Sequence, residues 1–118
     1  MYIGFVEDLA NMILKCKQNL NYHGFIFIKE PYDNERILKE IISLLIFQPN
    51  IVFRQIQVIR NNSKTYLIKF ENDSYIYITN PATGNLKYHQ AIVDPKFSCE
   101  EYKKLIYPNF IQYRKHKE

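Results

Sequence analysis

The stretch that most constrains the fold is Phe25-Ile26-Phe27-Ile28, an apolar run with no polar residue inside it. A strand with one wet face alternates apolar and polar positions. An unbroken run therefore predicts burial on both faces, as in a central parallel strand. Pro31 has no N–H to give to a ladder, and Asp33 offers an N-cap oxygen to a following helix. Glu35 falls in the first turn, where the helix dipole favours negative charge. Ile37, Leu38, Ile41, Ile42, Leu44 and Leu45 then line one broad helical stripe, which Pro49 and Asn50 end. The chain is organised around this strand-to-helix unit, Gly24 to Phe47. A doubly buried strand needs cover on both sides, so the remaining sequence must supply a second strand and a second helical layer.

Upstream, residues 5–18 predict a helix with Phe5, Leu9, Met12 and Ile13 on one stripe and Lys15 and Lys17 near its C-terminal end. Asn19, Asn21, His23 and Gly24 form the turn into the buried strand. Downstream, residues 52–60 alternate, which predicts a strand with one wetter face. Asn61-Asn62-Ser63 is turn material, Thr65 to Phe70 a second strand, Glu71 to Ser74 another turn, and Tyr75 to Thr79 a third strand. Short strands joined by tight polar turns form an antiparallel meander. Gln90 to Asp94 is a second apolar run, stopped by Pro95, and a candidate parallel partner for Phe25–Ile28. Ser98 and Glu101 make a Ser-x-x-Glu capping box before a last helix, which Pro108 ends. The expected architecture is α/β, or alternatively α+β: a mixed sheet of about five strands containing an antiparallel meander, with three helices.

At 118 residues the chain fits a single domain, taken as 1–113, with the basic run Arg114-Lys115-His116-Lys117 in a frayed tail over 114–118. The hydrophobic share of 47%, with ten Tyr and eight Phe, is ample for an aromatic-packed core. Cys16 and Cys99 are far apart and form no metal or redox motif; without a secretory leader they fit a reducing cytoplasm. No apolar run reaches the ~18–20 residues of a membrane span. The net charge of +4 is compatible with nucleic acid or an acidic protein partner, but the basic residues are scattered.

The order of elements resembles the ATPase core of phage large terminases over residues 5–108. Residues 5–18 resemble the helix that follows the phosphate loop, and Gly24 to Phe47 the next strand and helix. Lys69-Phe70-Glu71-Asn72-Asp73-Ser74-Tyr75-Ile76 resembles the hairpin region, and Ala91-Ile92-Val93-Asp94 the hydrophobic strand that ends in an acidic pair. The resemblance implies a magnesium-binding, water-activating edge, but the departures remove its chemistry. The chain has no Gly-x-x-x-x-Gly-Lys-Ser/Thr, its three glycines stand at 4, 24 and 84, and Pro95 replaces the second acidic residue. The expectation is a scaffold without nucleotide hydrolysis and without a cofactor.

Two constellations remain as candidate sites. Ligands of open α/β sheets bind beyond the carboxyl ends of the strands, which singles out Lys29, Glu30, Asp33 and Asp94 as a strand-end pocket. His23 precedes one strand and His89 nearly begins the other, so both lie at the same edge of the sheet if those strands are parallel neighbours. Their spacing with other residues matches no metal or acid–base motif. The second site is the meander surface, where Arg54, Arg60, Lys64, Tyr66, Lys69, Tyr75 and Tyr77, with Lys87, interleave cations and rings. That mixture suits a protein interface, a single-stranded nucleic-acid platform, or plain strand packing by tyrosine. The reading drawn from these features is a non-enzymatic binding protein, plausible for a phage or mobile element, that occupies a host or defence protein. The alternatives are a nucleic-acid-binding accessory factor and an enzyme at the edge near Asp94. A homodimer through a sheet edge or the Tyr-bearing face is compatible with each.

Overall fold

The computed structural model describes residues 5–47, 57–62, 65–80 and 87–106, with the backbone alone at 47, 57–62 and 106. Their centre is β1 (His23–Phe27), buried from Gly24 onward as the unbroken apolar run predicts. It is flanked by α1 (Phe5–Gln18) before it and α2 (Asn34–Phe47) after it, then come β2 (Gln57–Asn62), β3 (Thr65–Lys69), β4 (Tyr75–Thr79), β5 (Gln90–Val93) and α3 (Cys99–Ile106). The result is an α+β domain with a mixed five-stranded sheet in the order β2-β3-β4-β1-β5. β1 runs parallel to β4 on one side and to β5 on the other, with Ile26 opposite both Ile78 and Ile92. β2, β3 and β4 form the antiparallel meander.

Period-two alternation sorts β1 between two cores. Ile26, Ile68, Ile76, Ile78 and Ile92 join Leu9, Met12, Ile13, Ile37, Ile41 and Leu45 of α1 and α2. Phe25 and Phe27 turn the other way, onto Tyr88, with Phe97 and Leu105 of the α3 unit packed beside them. Burying a side chain of this size is worth about 1.5–3 kcal/mol, so four in succession anchor the sheet from both sides. Tyr88 is fully buried, and its hydroxyl donates to the Leu105 carbonyl at 2.7 Å, which ties α3 down at its last turn. Burial also pushes its phenol up to about 12.

The local signals act as expected at most boundaries. The capping box forms at α3: Ser98 Oγ accepts from the Glu101 N–H at 3.2 Å, and Glu101 Oε1 accepts from the Ser98 N–H at 3.0 Å. The two turns that carry positive φ do so at Asn21 and Asp73, residue types that tolerate it. These turns meet: Asn72 Nδ2 donates to the Cys16 and Asn19 carbonyls at the end of α1, and the Tyr22 N–H donates to Ser74 Oγ. Details at three places differ from the sequence expectation, the first being that His23 and Gly24, expected in a turn, open β1. Asn61 and Asn62 belong to β2, where the ladder register shifts between Arg60 and Asn62. Pro31–Asp33 forms a single 3-10 turn, so α2 begins at Asn34. The expected strand over 52–56, the turn residues Ser63 and Lys64, and the basic tail lie outside the described residues.

At Gly24 the side chain of Met12 from α1 packs directly on the sheet backbone. A Cβ there would stand 2.7 Å from the buried Met12 sulfur and 2.9 Å from its Cγ. Gly24→Ala is expected to destabilise the fold by about 1–3 kcal/mol through overpacking, and Met12→Ala in the same chain to relieve part of that cost. Urea denaturation checks this; an unshifted midpoint for Gly24→Ala would contradict the packing described.

Candidate functional site

Because β1, β4 and β5 are parallel, their carboxyl ends share one edge, and three of the four predicted pocket residues meet there. Asp94, just past β5, accepts the Lys29 N–H through Oδ2 at 3.1 Å and the Lys96 N–H through Oδ1 at 3.0 Å. Asp33, only 5% exposed, has Arg36 Nη2 at 2.9 Å from Oδ1 and Lys96 Nζ at 3.2 Å from Oδ2. Its oxygens are thus held by cations, where the sequence suggested a simple helix cap. Lys29 Nζ reaches Glu101 Oε1 at 3.2 Å and lies over the Phe97 ring. Glu30 enters through its backbone, whose carbonyl accepts the Asp33 N–H at 2.9 Å. The sequence reading did not include Asn34 and Asn80, which exchange amide hydrogen bonds while Asn80 Nδ2 donates to the Ile28 carbonyl at 2.8 Å.

This edge is a closed polar network. Hydrogen bonding to Asp33 pushes the Lys96 ammonium up. The Ser98 N–H, followed by Lys29, holds the Glu101 carboxyl down. Lys96 and Glu101 are each stabilised in the charged form by a fixed partner. Among the described residues no group of three or more His, Cys, Asp or Glu is placed to hold a metal ion. What the arrangement does is join the 3-10 turn, β1, β5 and α3.

At the opposite edge the two histidines meet. The His23 N–H donates to His89 Nδ1 at 3.0 Å and the His89 N–H donates to the His23 carbonyl at 2.8 Å. His89 stacks on Tyr22 with centroids 5.2 Å apart, His23 stacks on Tyr75 at 4.4 Å, and the two imidazoles lie edge to face at 5.1 Å. At the same edge Cys16 of α1 places its Sγ near the Tyr22 and Tyr75 carbonyls; burial pushes its thiol well above the usual range.

The meander residues divide between faces. Tyr66 is 9% exposed and packs with Ile68 and Ile78 in the core under α1 and α2. Tyr75 and Tyr77, half-buried, lie on the other face beside Phe25, with Tyr77 stacked on the Phe25 ring at 5.2 Å and 13°. Register places Leu67 next to Tyr77 and Lys69 next to Tyr75. Lys69 is exposed, and its ammonium stands 4.0 Å from Asp73. Arg60 pairs with Tyr66 in the ladder, while Arg54 and Lys64 lie outside the described residues. The structure therefore keeps Lys69, Tyr75 and Tyr77 together, adds Leu67, and removes Tyr66 from that surface. Alternation along β3 was the signal for both changes.

Comparison with known proteins finds no matching family model and no significant match among curated proteins or solved structures. No helix among the described residues is long and apolar enough to cross a membrane.

If the strand-end network is structural, removing Asp94 leaves two backbone donors unpaired. Asp94→Ala is expected to lower stability by about 1–3 kcal/mol, and Asp94→Asn, which keeps an acceptor, by less. Chemical denaturation distinguishes the two; equal, negligible effects would reopen the edge as a functional pocket.

Proposed function

We propose that this chain is a small non-enzymatic binding protein that engages a protein partner through the β3–β4 side of its α3-bearing sheet face. The observation that carries this reading is the pair Tyr75 and Tyr77, half-buried side by side with Leu67 and Lys69 in register next to them. Tyr77 is held against Phe25 and Tyr75 against His23, so both rings are fixed before any partner arrives. A pre-ordered tyrosine offers large contact area at little entropic cost, and tyrosine is among the residues that dominate interface energetics. The closed strand-end network supports a non-catalytic role, because its charges are already committed to one another. On this reading the terminase-like order of elements is a scaffold stripped of nucleotide chemistry, as in a phage or mobile-element protein that acts by occupying a host or defence component.

A second reading is favoured by Lys69 beside Tyr75 and by the net charge of +4: stacking and phosphate contact with single-stranded nucleic acid. The two separate by salt. Phosphate binding weakens steeply with salt concentration, whereas a tyrosine-centred protein contact does so far less.

Affinity capture from cells that naturally contain the protein is expected to recover one stoichiometric protein, and the Tyr75→Ala/Tyr77→Ala variant to lose it by ~100-fold or more, as for a pair of interface hot spots. Lys69→Glu, at an exposed site, leaves the fold intact and tests the same face without disturbing the Phe25 stack. Capture of the same partner by both variants at unchanged strength refutes the assignment; salt-sensitive recovery of nucleic acid instead establishes the second reading.

A further inference from the structure

We propose that the His23–His89 contact is a proton-sensitive clasp, which fastens the β5–α3 unit to the sheet at neutral pH and loosens it on acidification. Among the described residues β5 is an edge strand, with β1 as its ladder partner. Its unit, residues 87–106, is secured to β1 at both ends. One fastening is Asp94 on the Lys29 N–H; the other is the pair of hydrogen bonds between His23 and His89, reinforced by Tyr22 Oη donating to Gln90 Oε1 at 3.2 Å.

The histidine fastening works in one protonation state. His89 Nδ1 accepts a backbone N–H, so it must carry a lone pair and not a proton. Protonating it sets two N–H groups against each other. It also places a positive charge against the His23 ring at 5.1 Å. Burial holds both imidazoles below their usual range; for His89 the neighbouring His23 adds to this, and for His23 a hydrogen bond to the Lys87 carbonyl opposes it.

Other titratable groups among the described residues stand around the pair. β1 is preceded by Tyr22 and β4 contributes Tyr75, both stacked on the rings. The 87–90 segment brings Lys87 and Tyr88. In β3, Lys69 lies opposite Tyr75 and pairs with Asp73. From α1 comes the Cys16 thiol.

A group with a lowered native pKa binds fewer protons folded than unfolded. Its stabilisation is complete above the ordinary imidazole value of about 6.5 and is lost as pH falls below it. Loosening residues 87–106 would uncover Phe25 and Phe27, which Tyr88 and the α3 unit cover. This inference does not depend on the identity of any partner.

The test is hydrogen exchange on the full chain, corrected for the intrinsic rate, at about pH 7.5 and about pH 5. Protection of residues 88–106 is expected to fall relative to α1 and α2, residues 9–18 and 34–45. His89→Asn supplies an acceptor oxygen near the Nδ1 position and cannot titrate in this range, so its loss of protection should shrink to the part owed to His23. An NMR titration of the unaltered chain, with His89 assigned by its absence in that variant, should give a pKa below the ordinary value. Equal protection at both pH values, the same acid loss in His89→Asn, or an ordinary His89 pKa would each overturn the proposal.

Discussion

Burial of β1 on both faces is the constraint on which everything else in this molecule depends. Phe25 and Phe27 point one way and Ile26 the other, and neither set has access to water, so each face requires its own cover. α1 and α2 supply one with a continuous aliphatic layer. The other cover is α3, only eight residues long, together with Tyr88. A helix of ~1.5 Å rise per residue spans about 12 Å, which is wide enough for two or three strands and not for five. Among the described residues, Tyr88, Phe97 and Leu105 pack on Phe25 and Phe27, while Tyr75 and Tyr77 remain half-buried on β4. The binding face proposed for this chain rests on that half-buried pair, Tyr75 and Tyr77.

The same geometry accounts for the polarity of the sheet edges. Parallel neighbours on both sides of β1 gather three carboxyl ends at one edge and three amino ends at the other. Carboxyl ends of this kind commonly hold ligands, yet here Asp94 is used by backbone N–H groups and Asp33 by two cations. Both carboxylates are satisfied in their charged state by neighbours that also hold the fold together. Chemistry at that edge would have to break the contacts that position it, which is a physical reason to look for function on the sheet face.

Much of this was legible in the residues. The unbroken Phe25–Ile28 run identified a central strand because hydrophobic alternation has a fixed period, and the Ala91–Val93 run identified its parallel partner for the same reason. The Ser98–Glu101 box set the start of α3. What was not legible depended on register and on long-range partners. Tyr66 reads as an exposed ring in a list of tyrosines, but one-residue alternation sends it to the opposite face from Tyr75 and Tyr77. Asp33 reads as a cap, and nothing local reveals that Lys96, sixty-three positions away, will claim its second oxygen. Asn34 and Asn80 carry no motif at all; they become neighbours because α2 and the end of β4 arrive at the same edge.

The two fastenings of β5 differ in what they respond to, and that difference links packing to behaviour. At the Asp94 end the acceptor is a carboxylate bound to two N–H groups, an arrangement that needs the charged form, the ordinary state of a carboxylate near neutral pH. At the His89 end the acceptor is an imidazole nitrogen, and the form it needs is the neutral one. Near neutral pH both conditions hold and the sheet is complete from β2 to β5. As protons are added the histidine end loses the neutral form that its hydrogen bond needs. The unit would then pivot on its carboxyl-terminal attachment, with Lys29 still bound to Asp94 and Glu101. An edge strand held by unlike acceptors at its two ends is thus built to open from one end, and the end that opens is the one beside Tyr75.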